Sequence, residues 1–128
     1  MRIKDLLPDL TARFETAGIA EAAADARALV AFAIGKAPVF LRMNPDFEIE
    51  SGQFAQIKDF AGRRVKREPV SKITQTRGFW RLDFKVTKDV LDPRPDSETL
   101  IEEALKIFQD RSSPLNILDL GTGSGCLA

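Results

Sequence analysis

Near the end of the chain, the apolar run Asn116-Ile117-Leu118-Asp119-Leu120 is broken only by one acid and leads into Gly121-Thr122-Gly123-Ser124-Gly125, with glycine at alternate positions. Glycine takes positive φ freely and has no Cβ, so such a turn can wrap its backbone closely around a ligand. The run reads as a strand that enters a glycine turn, after which a helix should begin, represented by Cys126-Leu127-Ala128. That arrangement offers N–H groups and a helix N-terminus to an anionic group. Asp119 can accept hydrogen bonds from an amino group. A structural turn without a ligand is the alternative. Among ligands, a dinucleotide competes, because Gly123, Gly125 and Ala128 formally satisfy G-x-G-x-x-(G/A). The acid that would hold its ribose is expected about 20 residues further on, past Ala128.

Other residues could also do chemistry. In Asp92-Pro93-Arg94-Pro95-Asp96-Ser97-Glu98 two prolines fix the backbone around Arg94, and an immobilised guanidinium is a good carboxylate partner. Arg94 could equally pair with Glu98 or Asp96 and hold a linker in place. Arg63-Arg64-Val65-Lys66-Arg67 is the one basic cluster. It could meet an acidic or RNA-bearing partner, although cations at a helix C-terminus are favoured by the macrodipole and a solvated face is the better reading. Phe79 and Trp80 stand beside a turn and could contact a substrate or pack the hairpin. Cys126 reads as small buried packing rather than a reactive thiol.

These residues must be positioned by elements that the hydrophobic pattern suggests. With 44% hydrophobic and 30% charged residues the chain is ordinary for a globular protein and long enough for one modest core. A formal charge of zero gives no global field for nucleic acid. One cysteine excludes an internal disulfide and suits a cytoplasmic protein. Without histidine, His-based triads and most zinc sites are removed. The N-terminus is broken by Asp5, Pro8 and Asp9 and is neither a signal peptide nor a membrane span.

Helical spacing predicts a helix over residues 5–17, capped by Asp5 with Pro8 in its first turn and Leu6, Leu7, Leu10 and Phe14 on one face. A second is predicted over 21–34, with Ala22, Ala26, Leu29, Val30 and Ala33 inward. A shorter piece follows over 36–43. A fourth, capped by Ser51, carries Phe54, Ile57, Ala61 and Val65 to near residue 67. The period then changes. Residues 77–86 alternate, with Leu82, Phe84 and Val86 on one side, and predict a β-hairpin. The proline segment is extended, and a further helix begins at Asp96 or Ser97 with Leu100, Ile101, Ala104, Leu105 and Phe108 on its apolar face. The organisation expected is a helical bundle over 1–70, a hairpin linker over 71–92, and the start of an α/β domain over 93–128, an α+β fragment in all.

Several of these stretches agree with one family in order and spacing. Arg-Glu-Pro-Val-Ser-Lys-Ile, Gly-Phe-Trp-Arg-Leu-Asp-Phe-Lys-Val, Val-Leu-Asp-Pro-Arg-Pro-Asp-Ser-Glu-Thr-Leu-Ile-Glu and Ile-Leu-Asp-Leu-Gly-Thr-Gly-Ser-Gly resemble the peptide-chain release factor glutamine N5-methyltransferases. The likeness extends more loosely to Asp25-Ala26-Arg27-Ala28-Leu29. It implies a helical substrate-recruiting domain and a Rossmann-like domain that binds S-adenosyl-L-methionine. The methyl group would go to the side-chain amide of the glutamine in the Gly-Gly-Gln motif of class 1 release factors.

By the resemblance, Gly121, Thr122, Gly123, Ser124 and Gly125 match the cofactor loop and Asp119 the acid that opens it, while Arg94, Pro95 and Glu98 belong to a segment beside the pocket. Asp92 stands where many relatives have isoleucine. The family's Asn-Pro-Pro-Tyr motif, which grips the substrate amide, has no match in these residues. Nor has its ribose-binding acid. The chain is therefore read as the N-terminal part of a longer enzyme, with no catalytic residue of its own and no methyl transfer by itself. A non-catalytic release-factor-binding module and a fragment of a nicotinamide-dependent oxidoreductase are the alternatives. If no other strand pairs with it, residues 116–128 should be irregular.

Overall fold

The computed structural model describes residues 1–128 and divides into two compact units, Met1–Thr74 and Gln75–Ala128. The first is all helical: α1 (Ile3–Thr16), α2 (Ala22–Ala33), α3 (Pro38–Met43), α4 (Ser51–Val65) and α5 (Val70–Thr74). Leu6, Leu10 and Phe14 of α1, Ala26, Leu29 and Val30 of α2, and Ile57, Phe60 and Ala61 of α4 form one buried cluster, closed by Ile73 of α5. The small side chains of Ala22 and Ala26 on α2 are buried within it.

Helix starts are where the sequence misleads. Asp5 does not cap α1, which begins two residues earlier because backbone from a distant segment caps it. The Ile3 N–H donates to the Phe47 carbonyl at 3.2 Å and the Lys4 N–H to the Pro45 carbonyl at 2.9 Å, and Arg2 bridges Glu48 in antiparallel fashion. The earlier start leaves Pro8 inside the helix rather than in its first turn. Ser51 is likewise the first residue of α4 and not its cap. Glu50 stands at that position, and its N–H donates to Gln53 Oε1 at 3.1 Å. The fifth helix was not expected. Pro69, which ends the α4 pattern, also opens α5 by accepting from the N–H groups of Lys72 and Ile73.

The ends of α1, α2 and α4 follow one scheme. At α1 the Ile19 N–H donates to the Phe14 carbonyl and the Gly18 N–H to Glu15; at α2 Lys36 donates to Ala31 and Gly35 to Phe32. Each is a Schellman closure with glycine in the left-handed region, φ 70° at Gly18 and 66° at Gly35. At α4 Glu68 donates to Arg63 and Arg67 to Arg64, with Arg67 at φ 71° where glycine is usual.

The second unit contains a hairpin and one full helix. β1 (Thr76–Phe79) pairs antiparallel with β2 (Leu82–Lys85), Phe79 opposite Leu82 across a two-residue loop. Phe79 is buried and meets Phe84 edge-on at 6.3 Å, and Val86 is buried, but Leu82, on the same face, is exposed. A single 3₁₀ turn, Pro95–Ser97, then leads into α6 (Glu98–Ile107).

The strand-like run forms no strand, as expected where nothing pairs with it: residues 116–120 are irregular and Ile117 is 82% exposed. A strand needs at least one neighbour to bond with, and no other segment pairs with this one. No helix follows the glycine turn either. The apolar face of α6 is correspondingly open, with Leu100 61% exposed and no residue of the helix buried. The architecture is thus mixed helix with one small antiparallel sheet. No helix is long and apolar enough to cross a membrane.

Candidate functional site

The glycine turn adopts the conformation its composition suggests. Gly121, Gly123 and Gly125 lie at φ 72°, 57° and 80°, and Thr122 and Ser124 between them do not have positive φ. Successive N–H groups in a turn of this kind can form a concavity that binds anions. A Cβ at Gly121 or Gly125 would meet nothing within 4 Å, so these glycines are required by backbone conformation and not by crowding inside the chain. The turn is closed by the Gly125 N–H donating to the Thr122 carbonyl at 2.9 Å, while the N–H groups of residues 121–124 make no hydrogen bond within the chain.

This turn and the proline segment wall one cleft of about 170 Å³, lined by Asp92, Pro93, Arg94 and Ser97 on one side and by residues 121–124 and Cys126 on the other. Arg94 is its only cation. Ligand pockets span about 300–1,000 Å³, so the cleft accommodates a portion of a nucleoside-sized molecule. Cys126, expected to be buried packing, is half-buried here.

The other predicted residues do not line this cleft. Asp119 lines a second, more apolar cleft with Leu100, Ile101 and Leu118, and its Oδ2 is buried without a partner. Thr122 Oγ1 reaches the Asp119 carbonyl at 3.4 Å. Pro95 and Glu98 are not among the residues that line the glycine cleft. Pro95 opens the 3₁₀ turn, and Glu98 directs its carboxylate to the hairpin, where Oε1 accepts the Trp80 N–H at 2.7 Å.

The basic cluster is only partly a solvated face: Lys66 and Arg67 are exposed, while Arg63 and Arg64 are half-buried. Arg63 holds Glu68 through two bonds of 2.8 and 2.6 Å. That bidentate contact, aided by the charge of Arg63, keeps the Glu68 carboxyl below its ordinary value. Arg64 Nε donates to Asp25 Oδ2 on α2 at 2.8 Å. Arg67 donates to the carbonyls of Gly18 and Ala17, both at 2.9 Å, and so caps the end of α1. Arg64 and Arg67 tie α4 and the loop after it to α2 and to the end of α1, while Arg63 ties α4 to its own following loop. Only tertiary geometry could show this, because each partner lies either far along the chain or beyond the helix end.

A helical unit that precedes a glycine-turn cleft defines the broad class. The chain belongs to the family described as PrmC N-terminal domain, whose model matches residues 5–74, more than half its length. Proteins named release factor glutamine methyltransferase are similar to it across both units. The one from Caulobacter vibrioides is 38% identical over 90% of this chain and 39% of the relative. The one from Rhodospirillum rubrum is 40% identical over 90% of this chain and 35% of the relative. The one from Cereibacter sphaeroides is 41% identical over 100% of this chain and 44% of the relative. The chain therefore spans less than half the length of these curated relatives.

Proposed function

We propose that this chain is the N-terminal part of an S-adenosyl-L-methionine-dependent methyltransferase that acts in the cytoplasm on the glutamine side-chain amide of the Gly-Gly-Gln motif in class 1 release factors. The observation that carries the reading is the similarity to proteins of that name, which in the relative from Cereibacter sphaeroides runs over the whole chain, the glycine turn as well as the helical unit. The helical unit, 1–70 with the hairpin linker after it, recruits the protein substrate. Residues 93–128 open a Rossmann-like domain, and the exposed apolar faces of α6 and of residues 116–120 are the surfaces such a sheet would cover.

The cofactor supplies a methyl carbon made electrophilic by its sulfonium. The residues here suit its other end. Residues 121–124, whose N–H groups make no bond within the chain, line one cleft with Arg94, and such N–H groups and a guanidinium suit a carboxylate. The unpartnered Asp119 Oδ2 is an acceptor suited to an amino group. A dinucleotide would use the same glycines, but none of the relatives above carries a name that favours it. Transfer needs the amide nitrogen aimed at the methyl carbon, and the residues here include no Asn-Pro-Pro-Tyr to aim it.

Three measurements test this. Equilibrium dialysis with S-adenosylhomocysteine should show weak binding to the chain, reduced about tenfold or more by Gly123→Val, since a branched side chain is strained at φ 57°. Incubation with labelled S-adenosylmethionine and a class 1 release factor should give no transfer, while the immobilised chain should retain the release factor. Retention of NADH in preference to S-adenosylhomocysteine would sink the reading, and methyl transfer by the chain would overturn its assignment as non-catalytic.

A further inference from the structure

Trp80 is the only tryptophan of the sequence. It occupies the first position of the hairpin loop at φ 58°, in the left-handed region. Glycine takes that position without strain, and a bulky residue persists there only when its surroundings over-determine it. Phe79, just before it, is anchored at 3% exposure, whereas the Trp80 side chain is left 38% exposed. What holds the turn on its open side is the carboxylate of Glu98, whose Oε1 takes the Trp80 N–H at 2.7 Å, a charge-assisted bond. Glu98 directly follows the 3₁₀ turn, of which Ser97 lines the glycine cleft together with Arg94 just before it. One short segment thus faces the cleft with two side chains and grips the hairpin with a third.

We propose that Glu98 is a positioning residue, which clamps the strained Trp80 turn and ties the pose of the hairpin tip to the segment that walls the cleft. It acts through the hairpin and not by contact with a ligand. This goes beyond the methyltransferase reading and stands or falls independently of it, because the clamp is complete within the chain. The coupling has a definite route. A group that draws Arg94 or Ser97 toward it moves the start of α6, and Glu98 carries that movement to the Trp80 peptide.

The single tryptophan makes the test direct. In the 128-residue chain, Glu98→Ala should raise acrylamide quenching of Trp80 about twofold and speed exchange of its amide about tenfold or more. Glu98→Gln keeps an acceptor oxygen and should restore at least about half of each effect. Glu98→Asp keeps the charge at the start of α6 but shortens the reach by a methylene, so it should loosen Trp80 while the helix persists by circular dichroism. That variant separates a clamp from simple loss of α6. Trp80 unchanged in Glu98→Ala or Glu98→Asp, or as loose in Glu98→Gln as in Glu98→Ala, overturns the proposal. Cofactor binding is read separately by dialysis, so its failure leaves this result intact.

Discussion

Arg67 serves two purposes that conflict locally. Its backbone sits at φ 71°, a conformation that costs a residue with a Cβ about 1 kcal/mol. Its guanidinium satisfies the last two carbonyls before the turn after α1, at Ala17 and Gly18. Arg67→Ala removes both bonds and keeps the strain, whereas Arg67→Gly removes them and relieves it. Urea unfolding should therefore rank wild type first, Arg67→Gly second and Arg67→Ala last, with about 1 kcal/mol between the two variants. Equal stability of the variants would show that the left-handed conformation costs nothing here. Gly18 is coupled to the same site, because a Cβ there would lie 3.2 Å from Arg67 Nη2.

Glu68 gives a pH-dependent counterpart. Its folded-state pKa is depressed by the Arg63 contact from an ordinary 4.5. The stabilisation is fully present above that ordinary value and is lost as the pH falls through the lower folded value. Both side chains are about one third exposed, 36% and 35%, so solvent screening keeps the pair to about 0.5–1 kcal/mol. Glu68→Gln should cost that much at pH 7, and the gap to wild type should close as the pH drops below about 4. A gap that persists undiminished at pH 2 would show that the pair acts through packing.

At the scale of elements, periodicity was a reliable guide where an element packs inside the chain. The buried positions of α1, α2 and α4 stand at the helical spacing of Leu6, Leu10 and Phe14, of Ala22, Ala26, Leu29 and Val30, and of Ile57 and Ala61. Termini were less legible. The α1 start depends on carbonyls some forty residues away, at Pro45 and Phe47, which no local cap signal encodes. Pro69 stands two residues past the expected end of the fourth helix, and the same fixed φ that stops one helix suits the start of the next, which periodicity alone does not signal. The hairpin alternation was clear, yet Leu82 is exposed because alternation assigns a face and not what covers it. Residues 116–120 carry a buried-strand composition without strand structure, since a strand is a property of its pairing partners as well as of its own residues. At the candidate site, the glycine positions were legible because positive φ selects residue type. The Glu98 to Trp80 contact was not, because it joins two loops through a side chain whose composition signals nothing.

Across the whole molecule the two units differ in how much apolar surface they bury. Met1–Thr74 holds a continuous cluster that runs through all five helices, whereas the buried hydrophobic side chains of Gln75–Ala128 are Phe79 and Val86. Native-state hydrogen exchange should reflect this. Amides of α1, α2 and α4 should exchange at least about a hundredfold more slowly than those of α6, on the order of 3 kcal/mol of local stability. Uniform protection across both units would contradict the division. A binding loop carried on the weaker unit is expected where order has to respond to a ligand.

The long-range capping of α1 also bears on the order of folding events. The C-terminal half of α1 closes locally, through Gly18 and Ile19. Its first turn obtains partners for the Ile3 and Lys4 amides only when the chain at Pro45–Phe47 returns to it, a loop whose closure entropy must be met first. The helix should therefore grow toward its N-terminus, with the opening turn among the last parts of the bundle to consolidate.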